Sequence, residues 1–126
     1  MRAPRNILIS IHPRHAGRIY AGTKSFEYRR RASGLLERDR LVIYETAPIS
    51  KITGEARIEE VQTGSGHELS MLESDCTERK LVARYLAGAR RPVALKLVQI
   101  VKYKSGKSLK EFGLRYPPRT YQFLEI

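Results

Sequence analysis

Short apolar blocks of strand length, separated by turn residues, make up most of the chain. Asn6 to His12 is β-branched and almost wholly apolar, the pattern of a strand buried on both faces, broken only by Ser10. Leu41 to Thr46 predicts another, with Val42 and Tyr44 on one side and Leu41, Ile43 and Glu45 on the other. Lys51 to Val61 reads as a long strand in which Gly54 marks a bulge or a barrel corner. Pro92 to Tyr103 is the clearest central strand, and Thr120 to Leu124 is the last, with Tyr121 and Phe123 on one face. Helical spacing is rarer. Pro13 to Ala21 carries an apolar stripe of Ala16, Ile19 and Tyr20 and stops at Gly22. Thr77 to Leu86 reads as a helix capped by Thr77 and closed by Gly88, after a flexible Thr63 to Gly66 link, and Ser108-x-x-Glu111 opens one further turn. The pattern predicts an α+β chain: about five to six mostly antiparallel strands curled into a small, closed or nearly closed β-barrel, with two to three short helices at the rim.

One stretch breaks the apolar logic. Between the helix stop at Gly22 and the end of the next strand lie Lys24, Glu27 and Arg29, an ammonium, a carboxylate and a guanidinium on a segment that otherwise reads as core. Alternation puts Phe26 and Tyr28 on one face and Ser25, Glu27 and Arg29 on the other. Glu27 and Arg29 are then placed to pair, with spare guanidinium donors left for an anion. Burying such a cluster is costly, so it either faces water or binds something.

Charge adds a partner class. The 126 residues carry a formal +11, unevenly spread: residues 1–31 hold 8 basic and 1 acidic side chains, residues 32–78 hold 4 and 10, and residues 79–126 hold 12 and 2. Two basic ends around an acidic middle suit a polyanion if the ends meet in the fold, and nucleic acid is the commonest polyanion. Arg14 and Arg18, four apart on one helix, are candidates to touch phosphates. Arg29, Arg30 and Arg31 are consecutive, so Arg29 and Arg31 face one way and Arg30 the other. Tyr44 is either a core tyrosine or a platform on which a base stacks. Glu55, Glu59 and Glu60 make the face of their strand acidic and a poor match for phosphate.

The chain's length suits a single domain over 1–126. No apolar run is long enough to span a membrane, and the basic Met1 to Arg5 start is not followed by a signal-peptide core. A single cysteine, Cys76, makes no internal disulfide; a cytoplasmic setting is expected, with the thiol packed rather than reactive. His12 and His15 form the one close histidine pair, too few ligands for a metal site, so neither metal nor cofactor is expected.

Several blocks together resemble a known family. Ser10-Ile11-His12-Pro13, then Ala16, Ile19 and Gly22-x-Lys24-x-x-Glu27-x-Arg29, are similar to the signature of the ASCH domain, a branch of the PUA-like superfamily. Val42 to Pro48, Ile52 to Glu55 and Pro117 to Tyr121 resemble later blocks of that family in the same order. The resemblance implies a PUA-like β-barrel with a cleft that takes RNA or a modified nucleotide, and in some members ribonuclease or acetylcytidine amidohydrolase activity. In the amidohydrolases a threonine stands where this chain has Glu27, which puts that chemistry in doubt here.

Three functions follow as expectations. In the first, a nucleic-acid-binding module uses Lys24 and Arg29 on a phosphate or base edge and Glu27 on an exocyclic amine. Ser10, Arg14, Arg18, Arg31 and Tyr44 line or extend the surface. In the second, a metal-independent ribonuclease uses Lys24 to stabilise charge at phosphorus while Glu27 or a tyrosine moves a proton; a nucleoside amidohydrolase in the same cleft is the lesser form. The third, transcriptional regulation, lacks any helix-turn-helix pattern.

Overall fold

In a computed structural model of the chain, residues 3–125 are described; Met1, Arg2 and Ile126 lie outside them. Six strands form one mixed, curled sheet: β1 (Asn6–Ile11), β2 (Phe26–Arg29), β3 (Arg40–Glu45), β4 (Lys51–Thr63), β5 (Val93–Lys107) and β6 (Tyr121–Leu124). Their order is β2-β5-β4-β3-β1-β6. All neighbours run antiparallel except β1 and β3, which pair in parallel from Asn6 opposite Arg40 to Ile11 opposite Glu45. The sheet is a half-barrel rather than a closed one. Its edges, β2 and β6, are only four residues long, and β2 pairs with just Val93 to Lys96 of the fifteen-residue β5.

Curling is written into β4 and β5. Register slips at Ile43/Tyr44 opposite Ile52/Gly54, and again between β4 and β5 near Val98 to Val101, where Gln99 adopts a positive φ of 52°. Gly54 has no alternative there: a Cβ would collide with the Val101 carbonyl oxygen and the Tyr20 ring.

Three helices flank the sheet: α1 (Pro13–Ala21), α2 (Gly66–Ser70) and α3 (Cys76–Leu86), with a 3-10 turn at Leu109–Phe112. Helix α1 starts with Pro13 in its first turn and His12 as N-cap, the imidazole Nδ1 accepting the Arg14 amide at 3.1 Å, and it ends at Gly22 with φ 82°. The cap of α3 is Asp75 rather than Thr77, because the Asp75 carboxylate accepts the Glu78 amide at 2.9 Å. Cys76, expected to pack, is exposed at the start of that helix.

The main core joins Ile7, Ile9 and Ile11 to Ile19, Leu41, Ile43, Ile58 and Leu95. Leu8, Val42, Tyr44 and Ile52 form a second cluster, packed against Tyr103, Leu109, Phe112, Leu114 and Leu124. Strands β1 and β3 are therefore buried on both faces, as their nearly continuous apolar runs require. A third cluster, Tyr28, Leu69, Val82, Leu86 and Ala94, seats α2 and α3 against β2 and β5. Because β6 pairs with β1, Asn6 opposite Leu124, the two basic ends of the chain meet in the sheet. No helix among the described residues is long and apolar enough to cross a membrane.

Candidate nucleic-acid interface

A cleft of about 370 Å³ opens between α1, the edge strand β2 and α3. Its floor is the polar stretch singled out above. Lys24 and Glu27 are each 5% exposed and Arg29 8%, so all three charges are withdrawn from bulk water. Gly22 is the local cause: by ending α1 in the left-handed region it lets the chain turn back, placing Lys24 two residues later between helix and strand.

The three charges are not equivalent. Arg29 is fully engaged on one side, with Nε and Nη2 on Glu27 Oε2 at 3.1 and 2.8 Å and Nη2 also donating to the Ser10 carbonyl at 2.7 Å. Glu27 therefore spends one oxygen on Arg29, while among the described residues nothing donates to its Oε1. Lys24 has no hydrogen bond or ion pair among the described residues; its ammonium lies 4.9 Å from the centroid of the Tyr28 ring. Burial pushes its pKa below the ordinary lysine value, a shift that nearby Glu27 and Glu73 partly oppose. His15, beside it on α1, is also held below its usual value, first by burial and then by the Lys24 charge, and its buried Nδ1 has no partner. Tyr28 donates its hydroxyl to buried Glu73 at 2.5 Å; burial and that carboxylate push its pKa well up, so it stays a neutral phenol.

Helix α3 supplies the facing wall through Leu81, Val82 and Tyr85. Leu81 is 40% and Tyr85 49% exposed, so an apolar side and an aromatic ring face a charged floor. Among the lining residues, the cations Arg14, Lys24 and Arg29 stand against the carboxylates Glu27 and Glu78, a formal balance of one positive charge between them. Most of the chain's +11 lies outside it.

Of the residues read from sequence, Ser10, Arg14, Lys24, Glu27 and Arg29 line this cleft. The Ser10 hydroxyl is turned away from a ligand role, donating to the Pro118 carbonyl at 2.6 Å and so tying the C-terminal segment to the cleft floor. Arg14 and Arg18 each give part of the guanidinium to Glu78 in the first turn of α3, at 2.7 and 3.0 Å, and so bridge the two helices. Arg31 lies away from the cleft and lines a different hollow. Tyr44 is a core residue, 5% exposed in the cluster with Leu8 and Val42, so no base stacks on it there. The α3 wall and Glu73 were assigned no site role from sequence; the wall's only local signal is Leu81, Val82 and Tyr85 at helical spacing, the ordinary pattern of a packed helix face.

A sequence model of the ASCH domain matches residues 9–112. The chain belongs to the ASCH domain family. The matched range holds the whole Gly22 to Arg29 stretch and ends before the Pro117 to Tyr121 block. Solved structures agree on the fold. The ASCH protein of Zymomonas mobilis superposes with a TM-score of 0.80 at 23% identity, covering 96% of this chain and 88% of that one. A tyrosine-to-phenylalanine variant of the same protein gives 0.83 at 22%, over 96% and 91%. More distantly, the N-terminal domain of Staphylothermus marinus McrB gives 0.56 at 12%, over 87% and 80%. Curated protein sequences give no match. At these identities the likeness is one of fold, a small α+β PUA-like half-barrel.

Proposed function

We propose that this ASCH domain binds RNA or a modified nucleotide by seating one base in the cleft. The observation that carries this is the pair of unused polar groups on its floor: the Lys24 ammonium, a donor without a partner, and Glu27 Oε1, an acceptor without one. Both belong to residues only 5% exposed, yet neither atom is sealed from the cleft, so each is withdrawn from bulk water and still open to a ligand. A nucleobase offers acceptors to Lys24, amino hydrogens to Glu27 and a flat face to Tyr85. The near-neutral cleft favours a base over a phosphate inside it, with the backbone held by the basic surface outside. Titrating the protein with short single-stranded RNA tests this. Lys24→Ala and Glu27→Gln lower affinity at least tenfold, and affinity unchanged by both substitutions refutes it.

A second reading, metal-independent RNA cleavage in the same cleft, is favoured by one observation. Lys24 and Glu27 share the secluded cleft floor, where the ammonium can stabilise charge at phosphorus while the carboxylate moves a proton. Labelled RNA incubated with the parent and with Lys24→Ala decides it; cleavage that survives the substitution points to a contaminant.

A further inference from the structure

The three consecutive arginines that close β2 do three different jobs. Arg29 turns into the cleft. Arg30 reaches α3 and donates to the carbonyls of Tyr85 and Ala87 at 2.7 and 2.8 Å, capping the last turn of the helix. Arg31 does neither: it is exposed and has no hydrogen bond or ion pair among the described residues.

Its neighbours explain why that matters. The antiparallel β2–β5 ladder ends with Arg29 opposite Val93. Two residues beyond that pair, the chains bring Arg31 and Arg91 to the same end of the ladder, with Arg90 adjoining. Pinned by Arg30, the end of α3 delivers this second arginine pair. A hollow of about 570 Å³ is lined by Arg31, Arg90 and Arg91, with Ala32, Val61 and Val93 also along it. No carboxylate lines it, and none of the three guanidinium groups has an ion-pair partner among the described residues. Guanidinium stays charged at any physiological pH, so three of them around one hollow make a positive surface with no carboxylate to offset it.

The geometry points to this hollow as a phosphate-binding site, taking the backbone of the same nucleic-acid strand whose base occupies the cleft. The strand as ligand rests on the cleft reading; the anion chemistry does not. Planar guanidinium forks match phosphate oxygens bidentately, and unlike Arg14 and Arg18 these three have no carboxylate partner among the described residues. The reach is short. Four residues of edge chain separate Glu27 from Arg31, at most about 14 Å when fully extended.

The test uses the full chain and its Arg31→Gln/Arg90→Gln/Arg91→Gln variant, with Arg30 left in place and folding verified by circular dichroism. A single Arg91→Gln variant stands in should the triple fail to fold. Three probes are titrated: a ten-nucleotide single-stranded RNA at several salt concentrations, a nucleoside monophosphate, and tripolyphosphate followed by melting temperature. The expected result has three parts. The triple variant binds the RNA about tenfold more weakly, with a salt slope shallower by about 2, at roughly 0.7 for each phosphate no longer neutralised, or about 0.7 for Arg91→Gln alone. It binds the monophosphate like the parent. Tripolyphosphate raises the melting temperature of the parent only. RNA affinity and slope unchanged in the variant overturn the proposal. If tripolyphosphate protection is nonetheless lost in that variant, the hollow holds a free polyphosphate instead. If Lys24→Ala leaves RNA affinity intact while the arginine variant loses it, the cleft reading fails and the phosphate site stands.

Discussion

Two charged clusters are built into the same sheet, and they differ in how completely their charges are answered. Across β3, β4 and β5, Arg40 grips both oxygens of Glu55 at 2.7 and 2.9 Å, donates to Asn6 at 3.1 Å, and Tyr103 adds a hydrogen bond to Glu55 at 2.8 Å. Each group there has a partner, and the Arg40 hydrogen bonds hold the Glu55 carboxyl down to about 2. In the cleft, Arg29 is paired, Glu27 is half used and Lys24 is unused, although all three are more deeply buried. An answered cluster holds strands together. One buried with charges to spare costs stability and keeps binding capacity in return.

The largest expected effect comes from breaking the one pair the cleft does possess. Glu27→Ala strands the buried Arg29 guanidinium and lowers stability by about 3 kcal/mol in urea unfolding. A loss under about 0.5 kcal/mol, the range of an ordinary surface change, would show that Arg29 does not depend on Glu27. Next comes the reverse sign. Lys24→Met removes an unanswered buried charge and gains about 1 kcal/mol, raising Tm by roughly 4 °C, while RNA affinity falls. A lower Tm would erase the contrast between the clusters. The pH dependence follows the same logic. With its folded pKa below 10.5, the unfolded chain binds more protons in the window between the two values, so the Lys24 contribution rises with pH as 10.5 is approached. The Met variant lacks that rise in a pH series of melting curves.

Smaller effects test the answered cluster. The Glu55 carboxyl is depressed in the fold, so its contribution is present above about 4.5 and is lost as pH falls towards about 2. Solvent screening keeps it below about 1 kcal/mol. Glu55→Gln flattens that acid limb and leaves RNA affinity alone; weakened binding would extend the interface to β4. Least of all, Tyr44→Phe keeps the packed ring and removes a hydroxyl with no hydrogen-bond partner among the described residues, so stability changes by under about 0.5 kcal/mol and binding not at all.

How much of this was legible depended on whether the signal was local. Pro13 and Gly22 bound α1 because backbone geometry at a helix end is set by neighbouring residues, and alternation through Phe26 to Arg29 sorted aromatic from charged faces correctly. The capping box at Ser108 and Glu111 was read for the same reason. What failed was anything decided across the fold. Arg14 and Arg18 look free on a helical wheel, yet Glu78, 60 or more residues away, takes both. Tyr44 has the same local pattern whether it faces a ligand or Leu8 and Ile52, and only the covering turn at Leu109–Phe112 decides. The curled sheet was expected, closed or nearly closed; that it stops at a half-barrel was not legible, because alternation predicts strands but not whether β2 and β6 meet.

The central claim is that the unused donor and acceptor on the cleft floor receive a base. Chemical-shift mapping with a short single-stranded RNA, on protein labelled at side-chain as well as backbone positions, tests it most directly. A seated base gives saturable shifts at Lys24, Glu27, Arg29 and Tyr85, absent at Tyr44 and Tyr103. Shifts scattered over exposed lysines and arginines, with the Lys24 and Glu27 side chains unmoved at saturation, would contradict it.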